Sequence, residues 1–183
     1  GFIPAGQGFF VLMEHTSAST NEQVTFTNNM RSHLYDNGQF FRSSNSSGRI
    51  WLDLISGSQA PVRSLVGYVP DATYSKDRLY DAKTNEKDII NLYSLIDNAP
   101  HKIQGRSLPF DENDQVPIGF KVPQTGIHSI AIGALDGFFT DVSQAIYLED
   151  LDLNIIHDLR VAPYSFTANA GTYNDRFVLR YTN

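Results

Sequence analysis

The chain has 183 residues, a net charge of −6 and no cysteine, and this length suits one domain with a single core. Its 14 Lys and Arg residues are scattered, so it lacks the basic patch with which nucleic-acid binders neutralise phosphates. The missing cysteines exclude disulfides, cysteine nucleophiles and thiolate zinc sites, and no apolar run approaches the roughly 20 residues that span a bilayer.

The N-terminal part of the chain predicts two pairs of β-strands. Residues 8–13 are a short apolar run, and residues 23–27 alternate between polar and apolar side chains, which predicts a hairpin. A polar stretch follows, and then residues 49–55 alternate again, with residues 63–69 as the predicted partner strand. Pro70 ends that partner because proline cannot donate to a ladder.

The middle of the chain predicts a long loop and a second hairpin. Residues 71–88 are rich in Asp, Lys, Asn and Tyr and have no stable period, which indicates a surface excursion of a kind that often carries function. Residues 88–96 fit either a short amphipathic helix or a strand. The Asp97-Asn98-Ala99-Pro100 turn that leads into residues 101–105 favours a hairpin, and we therefore expect a strand.

The C-terminal third is predicted to be sheet. Its strand-like runs are residues 116–122, 126–132, 145–149, 164–167 and 176–181. Side chains of a strand point alternately to its two faces. Ile146 and Leu148 are therefore expected to face the core, and Phe177, Leu179 and Tyr181 to share one face.

These elements predict an all-β fold without helices between the strands. No alternation of strands and helices suggests a parallel α/β fold, so two antiparallel sheets packed face to face are the expected solution. The prediction is one antiparallel β-sandwich module over residues 1–183, of jelly-roll type, with about ten strands.

Several short motifs, taken in their order and spacing, resemble one protein family. They are GFIPAGQGFFV at residues 1–11, NMR at 29–31, QFFR at 39–42, RIWL at 49–52, YLED at 147–150, HDL at 157–159, YSF at 164–166 and NDRFVLRY at 174–181. The family is the β-rich module near the C-terminus of large secreted and cell-surface proteins of the Bacteroidota, many of them adhesin-like. It precedes the sorting domain that the type IX secretion system reads.

The resemblance implies an extracellular module at the cell surface without catalytic residues. The sorting domain that engages the secretion machinery would begin just after Asn183, and Gly1 falls inside the family's module. The resemblance therefore implies an N-terminally truncated piece of a larger surface protein, whose upstream part is a partner. Adhesion, glycan recognition or a structural role before the sorting domain are the expected functions.

The sequence offers few groups for nucleophilic or metal-assisted catalysis. None of the five histidines has the spacing of a zinc-binding H-E-x-x-H motif, and no G-x-S-x-G elbow occurs. A polysaccharide-active enzyme that uses two carboxylates is the remaining alternative. Its candidates are Asp53, Asp77, Asp81, Asp111, Glu112, Asp114, Glu149, Asp150 and Asp152. The commoner expectation for such residues is a solvated loop or strand edge.

A calcium site is a second candidate, because calcium takes oxygen ligands from carboxylates and carbonyls of loops. Asp111, Glu112 and Asp114 concentrate such oxygens in one turn, although turns commonly favour Asp and Asn for their own sake.

Glycan binding is a third candidate, because aromatic rings stack on sugars while polar side chains bind hydroxyl groups. The candidate residues are Tyr74, Tyr80, Asp77, Arg78, Asp81 and Trp51. The regular pattern around Trp51 favours a core position for this ring, whereas Tyr74 and Tyr80 lie in the polar excursion. Arg176 is expected either to pair with Asp150 or to be an ordinary surface arginine.

Overall fold

A computed structural model describes residues 47–85 and 87–183, which belong to one compact unit, Ser43–Asn183. The predicted strands at residues 8–13 and 23–27 lie outside the described residues. The described strands are β1 (Gly48–Ser56), β2 (Val62–Tyr68), β3 (Ala82–Lys83), β4 (Asn91–Ile96), β5 (Ala99–Arg106), β6 (Gln115–Val122), β7 (Gly126–Gly137), β8 (Tyr147–Asp150), β9 (Ile155–Asp158), β10 (Tyr164–Ala168) and β11 (Gly171–Arg180). A 3₁₀ helix lies at Phe138–Thr140, and no α-helix occurs in this part. The predicted all-β class is confirmed.

The described strands form one continuous sheet. Its order is β10-β7-β1-β2-β5-β4-β6-β11-β8-β9, and the short β3 pairs with β5. Neighbouring strands are antiparallel, except that β2 and β5 run parallel. The two layers expected of a sandwich are therefore two halves of one sheet, joined where β5 pairs with β4.

The sheet closes on itself around one core. Strand β10, at one end of the order, packs its aromatic side chains onto strands of the other half. The Phe166 ring lies 5.1 Å from the Phe120 ring of β6 and 4.8 Å from the Phe177 ring of β11, measured between ring centres. All three side chains are buried in a single cluster, so the edge strand β10 completes the core and gives a nearly closed, barrel-like arrangement.

The predicted faces of the strands are confirmed. Ile50, Leu52 and Leu54 of β1 are at most 1% exposed, and burial of each such side chain contributes about 1.5–3 kcal/mol. Ile146, Leu148, Phe177, Leu179 and Tyr181 are likewise buried, as their alternation predicts. Trp51 points to the other face of β1 and is half-buried outside the core cluster. The core position expected for Trp51 is therefore wrong, because the core side of β1 is filled by its aliphatic residues.

The second hairpin forms as predicted, although its turn has two residues and not four, because Ala99 and Pro100 already belong to β5. Asp97 and Asn98 have φ angles of 51° and 62°, the left-handed conformation that Asn and Asp tolerate better than most residues. A turn with two such residues matches the twist of the flanking strands. This match explains why strand Asn91–Ile96 forms in place of the alternative helix.

One hairpin was not expected. Strand β9 pairs with β8, although the sequence pattern predicts no strand between residues 149 and 164. Asn154, with a φ angle of 54°, makes the tight connection between the two strands. As predicted, residues 71–88 form an irregular excursion, and β3 is the regular element among its described residues. Within the described ranges, no helix has the length and apolar character needed to cross a membrane.

Candidate functional site

Three connecting segments come together at one end of the sheet. They are residues 71–81, 107–114 and 138–146, called the loop end below. The Tyr74 ring lies against the Arg106 guanidinium, whose Cζ is 4.7 Å from the ring centre, and Arg106 pairs with Asp114. The Phe110 ring lies 4.8 Å from the Phe138 ring, which links the second segment to the third.

A buried network of charged and phenolic groups lies beneath the loop end. Arg106, at the end of β5, donates from Nε to Asp114 Oδ2 at 2.7 Å and from Nη2 to Asp114 Oδ1. The Tyr68 hydroxyl donates to Asp114 Oδ2 at 2.6 Å and lies 3.0 Å from the Tyr181 hydroxyl. Burial and the neighbouring negative charges raise the pKa of Tyr68, so its proton stays on the phenol. The network therefore fixes the base of the loop end.

This network gives Asp114 a role different from the expected calcium ligand. Its carboxylate is occupied by the Arg106 guanidinium, which neutralises its charge. Asp111 accepts a hydrogen bond from the Asn113 backbone at 2.9 Å and so stabilises its own turn, while Glu112 is exposed. Among residues 47–85 and 87–183, no group of three or more His, Asp or Glu side chains could hold a metal ion. The calcium hypothesis therefore finds no support in the geometry of this turn.

A groove of about 360 Å³ lies beside this turn. Its lining comprises Phe138, Ala145 and Tyr181 together with the polar residues Glu112, Asp141, Ser143 and Gln144. Asp141 accepts hydrogen bonds from the Ser143 backbone at 2.9 Å and from its hydroxyl at 2.8 Å. These bonds lower the pKa of the Asp141 carboxyl and keep it ionised. The groove thus has a mainly polar lining that includes one partly buried aromatic ring, Phe138.

Arg160 holds the rim of the groove in place. Its Nη2 donates to the carbonyl oxygens of Phe139 at 2.8 Å and Asp141 at 2.9 Å, and its Nε donates to the carbonyl of Gln144 at 2.5 Å. Three backbone carbonyls of one loop are thereby fixed by a single side chain. The rim is consequently preorganised, which reduces the entropy that ligand binding would cost.

The predicted sugar-binding residues of the excursion have two different roles. Asp77 accepts hydrogen bonds from the Thr73 backbone at 2.6 Å and hydroxyl at 3.0 Å. Asp81 accepts from the backbones of Asp77 and of Gly105, the latter at 2.8 Å. Asp77 therefore stabilises the excursion internally, and Asp81 also holds it against β5. Tyr74, by contrast, is 48% exposed and presents its ring to solvent.

The other three candidates for glycan binding are more dispersed. Tyr80 is half-buried and packs against Gly105 so closely that a Cβ on that glycine would lie 2.5 Å from Tyr80 Cβ. Arg78 is exposed within the excursion, whereas Trp51 belongs to β1 and not to this loop. All of the six predicted residues except Trp51 thus lie at the loop end, and Tyr74 is the one among them with an exposed aromatic ring.

Several carboxylates considered for catalysis are paired with arginines. Asp53 accepts two hydrogen bonds from Arg63, each at 2.7 Å, and Glu149 accepts one from Arg180 at 2.8 Å. The predicted pair of Arg176 with Asp150 is confirmed, at 2.8 Å. The alternative of an ordinary surface arginine is wrong, because Arg176 is only 6% exposed.

Sequence reasoning missed the groove, because its residues are brought together only by closure of the sheet. A partial signal is present at Phe138 and Phe139. Two adjacent aromatic residues after Gly137 interrupt the strand pattern, and Gly137 has a φ angle of 59° that favours glycine. This signal indicates a special turn but does not reveal its partner across the groove.

Comparison with known proteins gives a family without an assigned activity. No curated protein matches the chain, and no solved structure does. The model of a family described as "Domain of unknown function (DUF8693)" matches residues 1–181. Because this match covers nearly the whole sequence, the chain belongs to that family of domains of unknown function.

Proposed function

We propose that this chain is a non-catalytic module of a secreted bacterial cell-surface protein and that it recognises carbohydrate at the loop end. The observation that carries the proposal is the groove of about 360 Å³ with Phe138 in its lining and polar side chains at its rim. Sugar sites combine these two features, since apolar ring faces stack and hydroxyl groups need hydrogen-bonding partners.

The exposed ring of Tyr74 supports the same role. Its contact with Arg106 holds the ring in one orientation, and Arg106 is in turn fixed by Asp114. A ring fixed in this way loses little conformational freedom when a sugar stacks on it. Arg106 joins Tyr74 to Asp114, which ends the turn that contains the groove residue Glu112, so an extended glycan is the ligand class that we propose.

Export by the type IX secretion system and an adhesin-like parent protein belong to this proposal. They rest on the resemblance of the motifs at residues 1–11, 147–150 and 174–181. A structural platform next to a sorting domain is the other role within it. Intact mass and terminal sequencing of the natural protein, with its co-purifying chains, would test for upstream and downstream parts.

The alternative of a polysaccharide-active enzyme draws on one observation. Glu112 and Asp141 both line the groove, and glycosidases use two carboxyl groups. The lowered pKa of Asp141 suits a stabilising carboxylate but not a general acid, so Glu112 would have to supply the proton. Release of reducing sugar that is abolished by Glu112→Gln and by Asp141→Asn would establish this alternative.

The binding proposal predicts a specific loss of affinity. The chain would be screened on a glycan array, and each positive glycan titrated by calorimetry. Tyr74→Ala is expected to weaken binding by about tenfold, equivalent to about 1.4 kcal/mol, within the range of aromatic contacts. Glu112→Ala should also weaken it, because a hydrogen-bond acceptor at the rim is lost.

Asp175→Ala is the matched control, because it removes an exposed carboxylate from β11. Its affinity should equal that of the unmodified chain. If no array glycan binds, or if Tyr74→Ala and Glu112→Ala bind as well as the control, recognition at the loop end is wrong and the structural platform is the better description.

A further inference from the structure

Lys102 and Asn91 lie in contact although they belong to different strands of the β4–β5 hairpin. Lys102 Nζ donates to Asn91 Oδ1 at 3.1 Å and to the Leu92 carbonyl at 3.2 Å. Because a C=O bond measures about 1.23 Å, the Asn91 carboxamide carbon is at most about 4.3 Å from the amine nitrogen. Asn91 is only 2% exposed, so this contact is shielded from solvent.

The carboxamide of Asn91 is held rigidly. The Thr84 hydroxyl lies 2.9 Å from Asn91 Oδ1 and 2.7 Å from its Nδ2, and Nδ2 also donates to the Asn85 carbonyl at 3.1 Å. Asn91 Oδ1 is therefore within reach of the Thr84 hydroxyl, a donor that stays in place when the Lys102 amine is neutral and attacks the carbon. Donors aimed at a carbonyl oxygen stabilise the negative charge that nucleophilic attack places on it.

The amine of Lys102 is biased toward its reactive form. Burial lowers the pKa of Lys102, although the charge of Asp88 opposes this shift. A lysine amine attacks only when it is neutral, and a lowered pKa increases that fraction.

We propose that Lys102 and Asn91 join in an intramolecular isopeptide bond. Lys102 Nζ attacks the carboxamide carbon of Asn91, and the Nζ–Cγ bond forms. The Cγ–Nδ2 bond then breaks, and the nitrogen leaves as ammonia after taking up the proton that Nζ gives up. The Thr84 hydroxyl contacts both Oδ1 and Nδ2 of Asn91 and so holds the amide in place during this exchange. No oxidant, reductant or other reactant takes part.

The bond would fasten the two halves of the sheet. Strand β5 pairs with β2 in one half, and β4 pairs with β6 in the other. A covalent link between residues 91 and 102 therefore lies where the sheet passes from one layer to the other. Separation of the layers would then require more than the rupture of hydrogen bonds, which suits a protein exposed to proteases or to force.

Intact-mass spectrometry of the full chain tests the proposal. The expected mass is lower than the sequence mass by one ammonia molecule, and proteolysis should give a branched peptide that joins residues 91 and 102. Lys102→Arg keeps the positive charge but lacks a primary amine, so its mass should equal the sequence mass. Asn91→Asp, which permits the same attack, should lose water instead of ammonia.

Lys83→Arg is the matched control, since Lys83 is an exposed lysine on β3, and its mass deficit should persist. Circular dichroism would confirm that each variant is folded. A chain that keeps its full mass after prolonged incubation at mildly alkaline pH would refute the bond. So would a deficit that survives in Lys102→Arg, because the ammonia would then come from another asparagine, such as Asn37 before Gly38.

Discussion

The carboxylate of Asp150 ties together three strands on one side of the core. Arg176 Nη2 donates to it at 2.8 Å, and the Tyr164 hydroxyl donates at 2.9 Å. Arg176 also donates from Nη1 to the Thr167 carbonyl at 2.9 Å. Strands β8, β10 and β11 are thus joined by one buried charge pair, and removal of either charge would leave the other uncompensated.

Replacement of Asp150 by asparagine is expected to destabilise the protein strongly. Loss of one partner of a buried ion pair typically costs about 3–5 kcal/mol. The free energy of unfolding, measured by urea denaturation at pH 7, should fall by about that amount in Asp150→Asn. Asp152→Asn is the control, because Asp152 also faces Arg176, at 3.5 Å, but its side chain is 60% exposed. A cost of about 1 kcal/mol or less is expected there.

The stabilisation that the Asp150 carboxylate provides should decrease at low pH. Burial opposes ionisation of its carboxyl, but the hydrogen bonds from Arg176 and Tyr164 outweigh burial and lower its pKa. The folded pKa therefore lies below the unfolded value of about 3.9. The stabilisation is complete above that value and is lost as the pH falls through the folded pKa. The difference in the free energy of unfolding between the unmodified chain and Asp150→Asn should therefore shrink below about pH 4. A difference that stays constant with pH would contradict this assignment.

Among the elements, the turn between β4 and β5 restricts its own sequence through its backbone conformation. Asn98 has a φ angle of 62°, where an ordinary side chain costs about 1–2 kcal/mol. Asn98→Ala should therefore lower the free energy of unfolding by about 1 kcal/mol, whereas Asn98→Gly should leave it unchanged or raise it, since Asp-Gly is favoured in such turns. Thermal or urea unfolding of the two variants checks this, and an equal loss in both would argue against the left-handed turn.

How far the sequence predicts an element depends on whether one face is buried. Strand β1 was predicted with its faces because Ile50, Leu52 and Leu54 alternate with residues outside the core. The β8–β9 hairpin was missed because β9 is a short edge strand whose Ile155 is 44% exposed. An edge strand without a buried face leaves no alternating pattern in the sequence. The Arg176–Asp150 pair was predictable because its partners flank strands that were already recognised.

At the scale of the whole molecule, closure of the sheet determines which distant residues meet, and the sequence pattern does not show these contacts. The groove combines Glu112, Phe138 and Tyr181, which are far apart along the chain and meet only when the sheet curls. The parallel pairing of β2 with β5 likewise depends on the path of the chain between the two strands. The sequence of either strand alone does not reveal it. Periodicity reports which face of a strand is buried, but it does not report which strand covers that face.

Closure of the sheet predicts that a core side chain on an edge strand contributes as much to the free energy of unfolding as one on a central strand. Phe166 of the edge strand β10 is 4% exposed and contacts Phe120 and Phe177 across the core. Phe166→Ala should therefore lower the free energy of unfolding by about 3–5 kcal/mol, the cost of removing a core aromatic ring. Ser165→Ala changes the exposed face of the same strand and should have an effect within about 0.5 kcal/mol. Urea denaturation followed by tryptophan fluorescence measures both, and a small loss in Phe166→Ala would mean that β10 does not seal the core.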